Sequence, residues 1–200
     1  MALLFTLSML MGGAGAWCGR KIQSFGAVIA LGALFLFGTI GVFLAAHASA
    51  PVGIGALAIW TFVSGLFVGP AIQAYSEDLG WRTVALAFFG TGGVMAVCGV
   101  IGAFSGIDFS AMGTFLMIGL FGIIIAGIIG LFVRWGREAN IAISGIACVI
   151  FAGYFIFDFF RLSKSTNTWE SAIQLAMSIY LDFLNFFLHL LQLLAASKHH

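Results

Sequence analysis

Seven acidic residues are spread along the chain, and only two of them, Asp158 and Asp182, lie inside apolar runs. Glu77, Asp78, Asp108, Glu138 and Glu170 fall in loops or at the ends of such runs, where water solvates a carboxylate. A carboxylate in hydrocarbon must be protonated, paired or hydrated, because an isolated ionised group there is too costly. Asp158, in GYFIFDFFRL, has two candidate partners. One is Arg161 at i+3, as a structural ion pair near the interface. The other is Asp182. If the two aspartates meet in a dry site, both cannot ionise cheaply, so they share a proton. Protonated, they form a closed hydrogen-bonded gate. Deprotonated, they repel, admit water and offer the hard oxygens that calcium prefers, which makes Asp158 and Asp182 a candidate metal site as well as a pH sensor.

Asp182 belongs to a polar stripe. Gln174, Ser178, Asp182, Asn185, His189 and Gln192 recur at spacings of 4, 4, 3, 4 and 3 within Ser171 to Ala195, which places them on one face of a helix. Leu175, Ile179, Phe183, Phe186 and Leu190 make the opposite face apolar. An interfacial amphipathic helix with this face in water normally carries several Lys or Arg there, and this face has none. The alternative directs the stripe into a helix bundle or a water-filled path, with Gln174, Ser178, Asn185 and His189 as pore-lining residues.

The elements that must position these groups follow from composition. A chain of 200 residues that is 62% hydrophobic and 8% charged is no ordinary soluble domain, for which the charged fraction is about 25%. Apolar runs of membrane-crossing length cover roughly 2–18, 25–46, 52–75, 83–104, 111–133, 139–160 and 171–195. Backbone amides in lipid must be bonded internally, and the runs are too continuous for barrel strands, so they are helices. The expected fold is an all-α membrane protein, a seven-transmembrane-helix bundle forming a single integral domain over 1–200, with a polar-faced C-terminal helix. The first run reads as a membrane span rather than a cleaved leader, since no basic segment precedes it. Pro70 should kink span 3 or mark a local break. Gly15-xxx-Gly19 and Gly65-xxx-Gly69 either bring helices close or reflect the general abundance of glycine in membrane helices.

If helix 6 runs to about Thr166 and helix 7 starts near Glu170, Asp158 lies roughly 12 Å and Asp182 roughly 18 Å from their shared turn. Tilt can absorb that offset, so spacing permits the pair without requiring it. For orientation, Arg20, Lys21, Arg82, Arg134, Arg137 and Lys198 fall on one side and Arg161 and Lys164 on the other. The positive-inside rule then puts the C-terminus in the cytoplasm. The few scattered basic residues make no phosphate-binding patch, which excludes a nucleic-acid partner. Cys18, Cys98 and Cys148 stand apart and read as free thiols.

The phrase IYLDFLNFFLHLL, preceded by IFDFFR with 24 positions separating the aspartates, resembles the closing signature of the transmembrane Bax inhibitor motif family, also called the Bax inhibitor/YccA family. TFVSGLFVGPAIQAY in span 3 is similar to that family's third helix, and the seven-span layout extends the likeness over nearly the whole chain. The resemblance implies a bacterial-type calcium leak of the inner membrane, closed by a proton-sharing dyad at Asp158 and Asp182. It also implies a basic latch near the end of the second helix, where this chain has His47; that residue is equally readable as an interfacial turn residue. Phe159-Phe160 and Gln192 depart from the more polar or basic residues of relatives, which makes the pore end less polar.

The leading expectation is therefore a pH-sensitive calcium leak channel. It is not an enzyme and has no cofactor; calcium is a permeant or transiently bound ion, and lipid and protons are its other partners. The alternative is a membrane-embedded regulator that binds a membrane protease or cell-death partner. Further behind stands an intramembrane aspartyl protease, whose Gly-x-Gly-Asp motif is missing because the second aspartate here sits in Tyr-Leu-Asp.

Overall fold

A computed structural model describes residues 1–133, 135–166 and 168–198. Arg134, one of the positive charges counted for orientation, lies outside the described residues. Among the described residues are seven α-helices: α1 (Ala2–Gly19), α2 (Phe25–Ala48), α3 (Ala50–Leu79), α4 (Trp81–Phe104), α5 (Met112–Phe132), α6 (Arg137–Lys164) and α7 (Trp169–Lys198). All seven are long and apolar enough to cross a membrane. The protein is an all-α, multi-pass integral membrane protein.

Most helices extend a few residues beyond the apolar runs. The largest difference is between α2 and α3, where His47 to Pro51 reads as a turn in the sequence. The helices are separated only by Ser49, in an extended conformation, and Pro51 sits in the first turn of α3. A proline is at ease there because the first amides of a helix have no intrahelical acceptor.

The chain packs as two compact units, one of residues 1–77 and 165–180, the other of residues 78–164 and 181–200. In the first unit α1 and α3 meet through their glycines. A Cβ on Gly15 or Gly19 would overlap the carbonyls of Phe62 or Leu66, and a Cβ on Gly65 or Gly69 would overlap those of Gly12 or Ala16. Both small-residue motifs are thus contact surfaces, and they face each other. Pro70 does not break α3, which is continuous through it. The bond it forfeits is the one to the Leu66 carbonyl four residues back, and that carbonyl is where the Gly19 backbone packs. A neighbouring helix at close range supports the proline. Trp60 Nε1 donates to the Phe35 carbonyl of α2 at 3.0 Å, and the two rings stack 5.3 Å apart. Ser64 Oγ lies 2.6 Å from Tyr180 Oη, tying α3 to the first half of α7.

In the second unit α6 packs against α4 and α5. Gly102 of α4 lies against the Ile156 backbone, and Phe88 of α4 meets Phe183 and Phe187 edge-on. The buried positions of α6 are Ser144, Ala147, Phe151, Phe155 and Asp158, a stripe at helical spacing that ends on the carboxylate. By contrast α2 and α5 are largely exposed, with Phe37, Ile40, Phe115 and Ile118 among their open side chains. Such faces suit hydrocarbon.

Candidate functional site

Asp158 and Asp182 both belong to the second unit and are nearly sealed, at 1% and 6% exposure. Their carboxyl groups are near enough to bear on one another, and the Oδ2 atom of each is shut off from solvent. The Arg161 alternative is realised too. Arg161 Nη1 lies 3.2 Å from Asp158 Oδ1, with its guanidinium half-exposed and 5.7 Å from the centre of the Phe157 ring. The two candidate partners of Asp158 are therefore compatible: it faces Asp182 across the helix pair and pairs with Arg161 along its own helix. Tyr154, one turn before Asp158, is close enough for both carboxylates to bear on its hydroxyl. Its spacing of four from Asp158 was the available signal for this third polar group.

Local sequence explains the placement. α6 and α7 are joined by a short connection, so they run antiparallel as neighbours. Phe151 stacks on His189 at 6.0 Å and Phe155 meets Phe186 at 5.7 Å, a ladder of rings that ends at the aspartates. Each rung keeps the same register, since a step toward the C-terminus of α6 matches a step toward the N-terminus of α7.

The polar stripe of α7 divides between the units. Asn185, His189 and Gln192 are half-buried in the second unit, and Asn185 Nδ2 donates to the Leu181 carbonyl at 2.8 Å. Gln192 follows His189 by three residues on the same helix face. Gln174 and Ser178 are half-buried in the first unit, with Gln174 Nε2 3.5 Å from Glu170 Oε1. On the opposite, apolar face Leu175, Ile179, Phe183 and Phe186 are each at most 6% exposed, while Leu190 is half-buried. α7 is thus a core helix around most of its circumference.

His47 lies in the first unit, where its Nε2 is 2.8 Å from Glu170 Oε1 and its Nδ1 is 2.7 Å from the Phe43 carbonyl. Both ring nitrogens face acceptors, so both contacts are hydrogen bonds only when the ring carries two protons. Its ion-pair partner is Glu170, in the first turn of α7.

The match to known proteins covers the same ground. The family model described as "Inhibitor of apoptosis-promoting Bax1" matches residues 1–199. This chain belongs to the Bax inhibitor-1 family. Similar relatives within it include Bax inhibitor 1 of Schizosaccharomyces pombe, 32% identical over 69% of this chain and 50% of that protein. A membrane protein of Vibrio cholerae is 35% identical over 68% of this chain and 62% of its own length. The Golgi anti-apoptotic protein of vaccinia virus is 34% identical over 46% of this chain and 38% of its length. The matched region thus spans from about half to less than two thirds of the first two of these relatives. The region that the family model matches includes both aspartates, Asp158 in α6 and Asp182 in α7. Two carboxyl groups fall short of the six to eight oxygens calcium takes. Among the described residues no group of three or more His, Cys, Asp or Glu comes together.

Proposed function

We infer that this Bax inhibitor-1 family protein is a pH-sensitive calcium leak of a bacterial inner membrane, gated by a proton shared between Asp158 and Asp182. The observation that carries this reading is the burial of two facing carboxyl groups, at 1% and 6% exposure, in one site. Two carboxylates sealed together cannot both ionise cheaply, so a proton on one is the relief at hand. With that proton in place α6 and α7 are held together at the aspartates. When it leaves, two like charges face each other in a site with little water, and separation with hydration is the way to relieve them. Hydrated carboxylates then present oxygens to a passing calcium ion. Arg161 keeps one positive charge beside Asp158 in either state.

Purified protein in liposomes with external calcium and an internal indicator tests this. Flux should rise with pH, and Asp182→Asn or Asp158→Asn should flatten that rise, because the amide fills the same space but cannot ionise. Identical pH profiles in all three proteins would remove the aspartates from the gate. The second reading, a membrane-embedded regulator, is favoured by the name of the vaccinia relative, and the absence of flux at every pH would support it. Cleavage of a membrane-span peptide that either substitution abolishes would point instead to protease chemistry.

A further inference from the structure

A cleft of about 610 Å³ opens in the second unit beside the C-terminal part of α7. Ile123, Ala126, Gly127 and Gly130 of α5, Trp135 just before α6, Asn140 and Ile143 of α6, and His189 and Gln192 of α7 line it. Two of the polar groups are already engaged: Trp135 Nε1 donates to the Ala126 carbonyl at 3.2 Å, and Asn140 Nδ2 to the Trp135 carbonyl at 3.3 Å. His189 is not fully engaged. Its Nδ1 is buried and has no hydrogen-bond partner among the described residues. Ser144 Oγ, one turn along α6 from Asn140, is in the same condition. A buried polar atom without a partner is destabilising, and ordered water is the usual remedy where a cavity is at hand.

His189 is seven residues beyond Asp182 on the same helix face, a rise of roughly 10 Å. Asn185 stands between them. Its amide is committed to the Leu181 carbonyl, which leaves Oδ1 free to accept from water or from the imidazole. A helical side chain leans toward the N-terminal turn, so the His189 ring leans toward Asn185 and the aspartates. Few other charges compete near it. α5 carries no charged residue between Met112 and Phe132. On α6, Arg137 Nε donates to the Ala196 carbonyl at 2.9 Å, and Glu138 is exposed in the first turn. On α7, Glu170 lies in the first turn against His47, Lys198 is directed to the Asp78 carbonyl, and the remaining acid is Asp182, which faces Asp158 of α6.

We propose that this cleft is the aqueous portal through which the aspartate pair exchanges its proton, and that the His189 imidazole relays it. On closing, water in the cleft gives a proton to one ring nitrogen while the other releases one toward water held by Asn185, and that water protonates Asp182. Opening runs the same transfers in reverse. Imidazole suits the task because it is the side chain whose ordinary titration lies between pH 5 and 8 and whose two nitrogens can carry both halves of a transfer. The proposal rests on the proton-gated reading above, but it can be read out without calcium.

The test is a rapid pH step on protein in vesicles, followed by the infrared carboxyl band of the protonated aspartate. Asp182→Asn identifies the band by removing it. His189→Ala should slow its response by at least about tenfold, the low end of what a positioned acid–base group contributes. Free imidazole, small enough for the cleft, should restore the rate. A packing role for His189 would not produce that rescue. An unchanged rate in His189→Ala, or a slow rate that imidazole leaves slow, overturns the relay. Independently of the His189 variant, Ile143→Cys should react with a membrane-impermeant thiol reagent more than the parent chain does, and protection would overturn an aqueous portal. A carboxyl band that responds through His189 in a protein showing no calcium flux would sink the leak and keep the relay.

Discussion

The aspartate pair is asymmetric at the residue scale. Asp158 has a guanidinium 3.2 Å away, whereas the same charge bears on Asp182 at longer range. A nearby cation favours the ionised pair, so its loss should make opening harder. Arg161→Gln is expected to move the flux profile to higher pH by up to about one unit, discounted because the guanidinium is half-exposed. An unmoved profile would mean that solvent screens the contact. Asp108, in the connection between α4 and α5, offers a second titration. Hydrogen bonds from the Ser110 hydroxyl and backbone amide, helped by the Lys164 charge, hold its carboxyl below the ordinary range. A depressed folded value contributes stability that is complete above the unfolded value near pH 4 and is lost as pH falls through the folded one. Asp108→Asn should therefore lose less stability than the parent between pH 6 and pH 3, by a small margin since the group is exposed. Thermal unfolding in detergent at the two pH values measures it.

At the scale of the element, the glycines separate by position rather than by number. Gly65 packs against the α1 backbone, while Gly13 on α1 has open space around it. Gly65→Leu should destabilise the first unit by about 1–3 kcal/mol or more, as overpacking does, whereas Gly13→Leu should be tolerated. Comparing their unfolding temperatures checks this. The polar stripe of α7 was legible because a 3.6-residue period is written directly in the order of residues. The burial of its opposite face was not. Lipid tails are as apolar as leucine, so hydropathy gives Phe183 and Phe186 the same score whether they meet protein or membrane. For Pro70, the sequence shows the missing donor but not Gly19 lying against the carbonyl it leaves behind. Tyr180 and Ser64 escaped notice for a similar reason, since their contact joins residues 116 positions apart.

For the whole molecule, the charge count predicts that the ends of α5 and α7 and the start of α6 face the cytoplasm. A pH-sensitive fluorescent reporter fused after His200 should respond to cytoplasmic rather than external acidification; the reverse response would invert the topology. The same orientation would open the His189 cleft toward the cytoplasm. That seven helices cross the membrane, and that two acids must be dealt with inside them, was determined by the sequence alone. Both follow from a local rule: each peptide group in hydrocarbon bonds within its own helix, and each buried charge needs relief. Which acids meet, whether Arg161 joins Asp158 in place of Asp182 or alongside it, and which histidine lies beside a cleft and which beside Glu170 were decided by tertiary structure. Those outcomes depend on helix depth and rotation, which apolar surfaces leave open until close-packed glycines and stacked rings fix them.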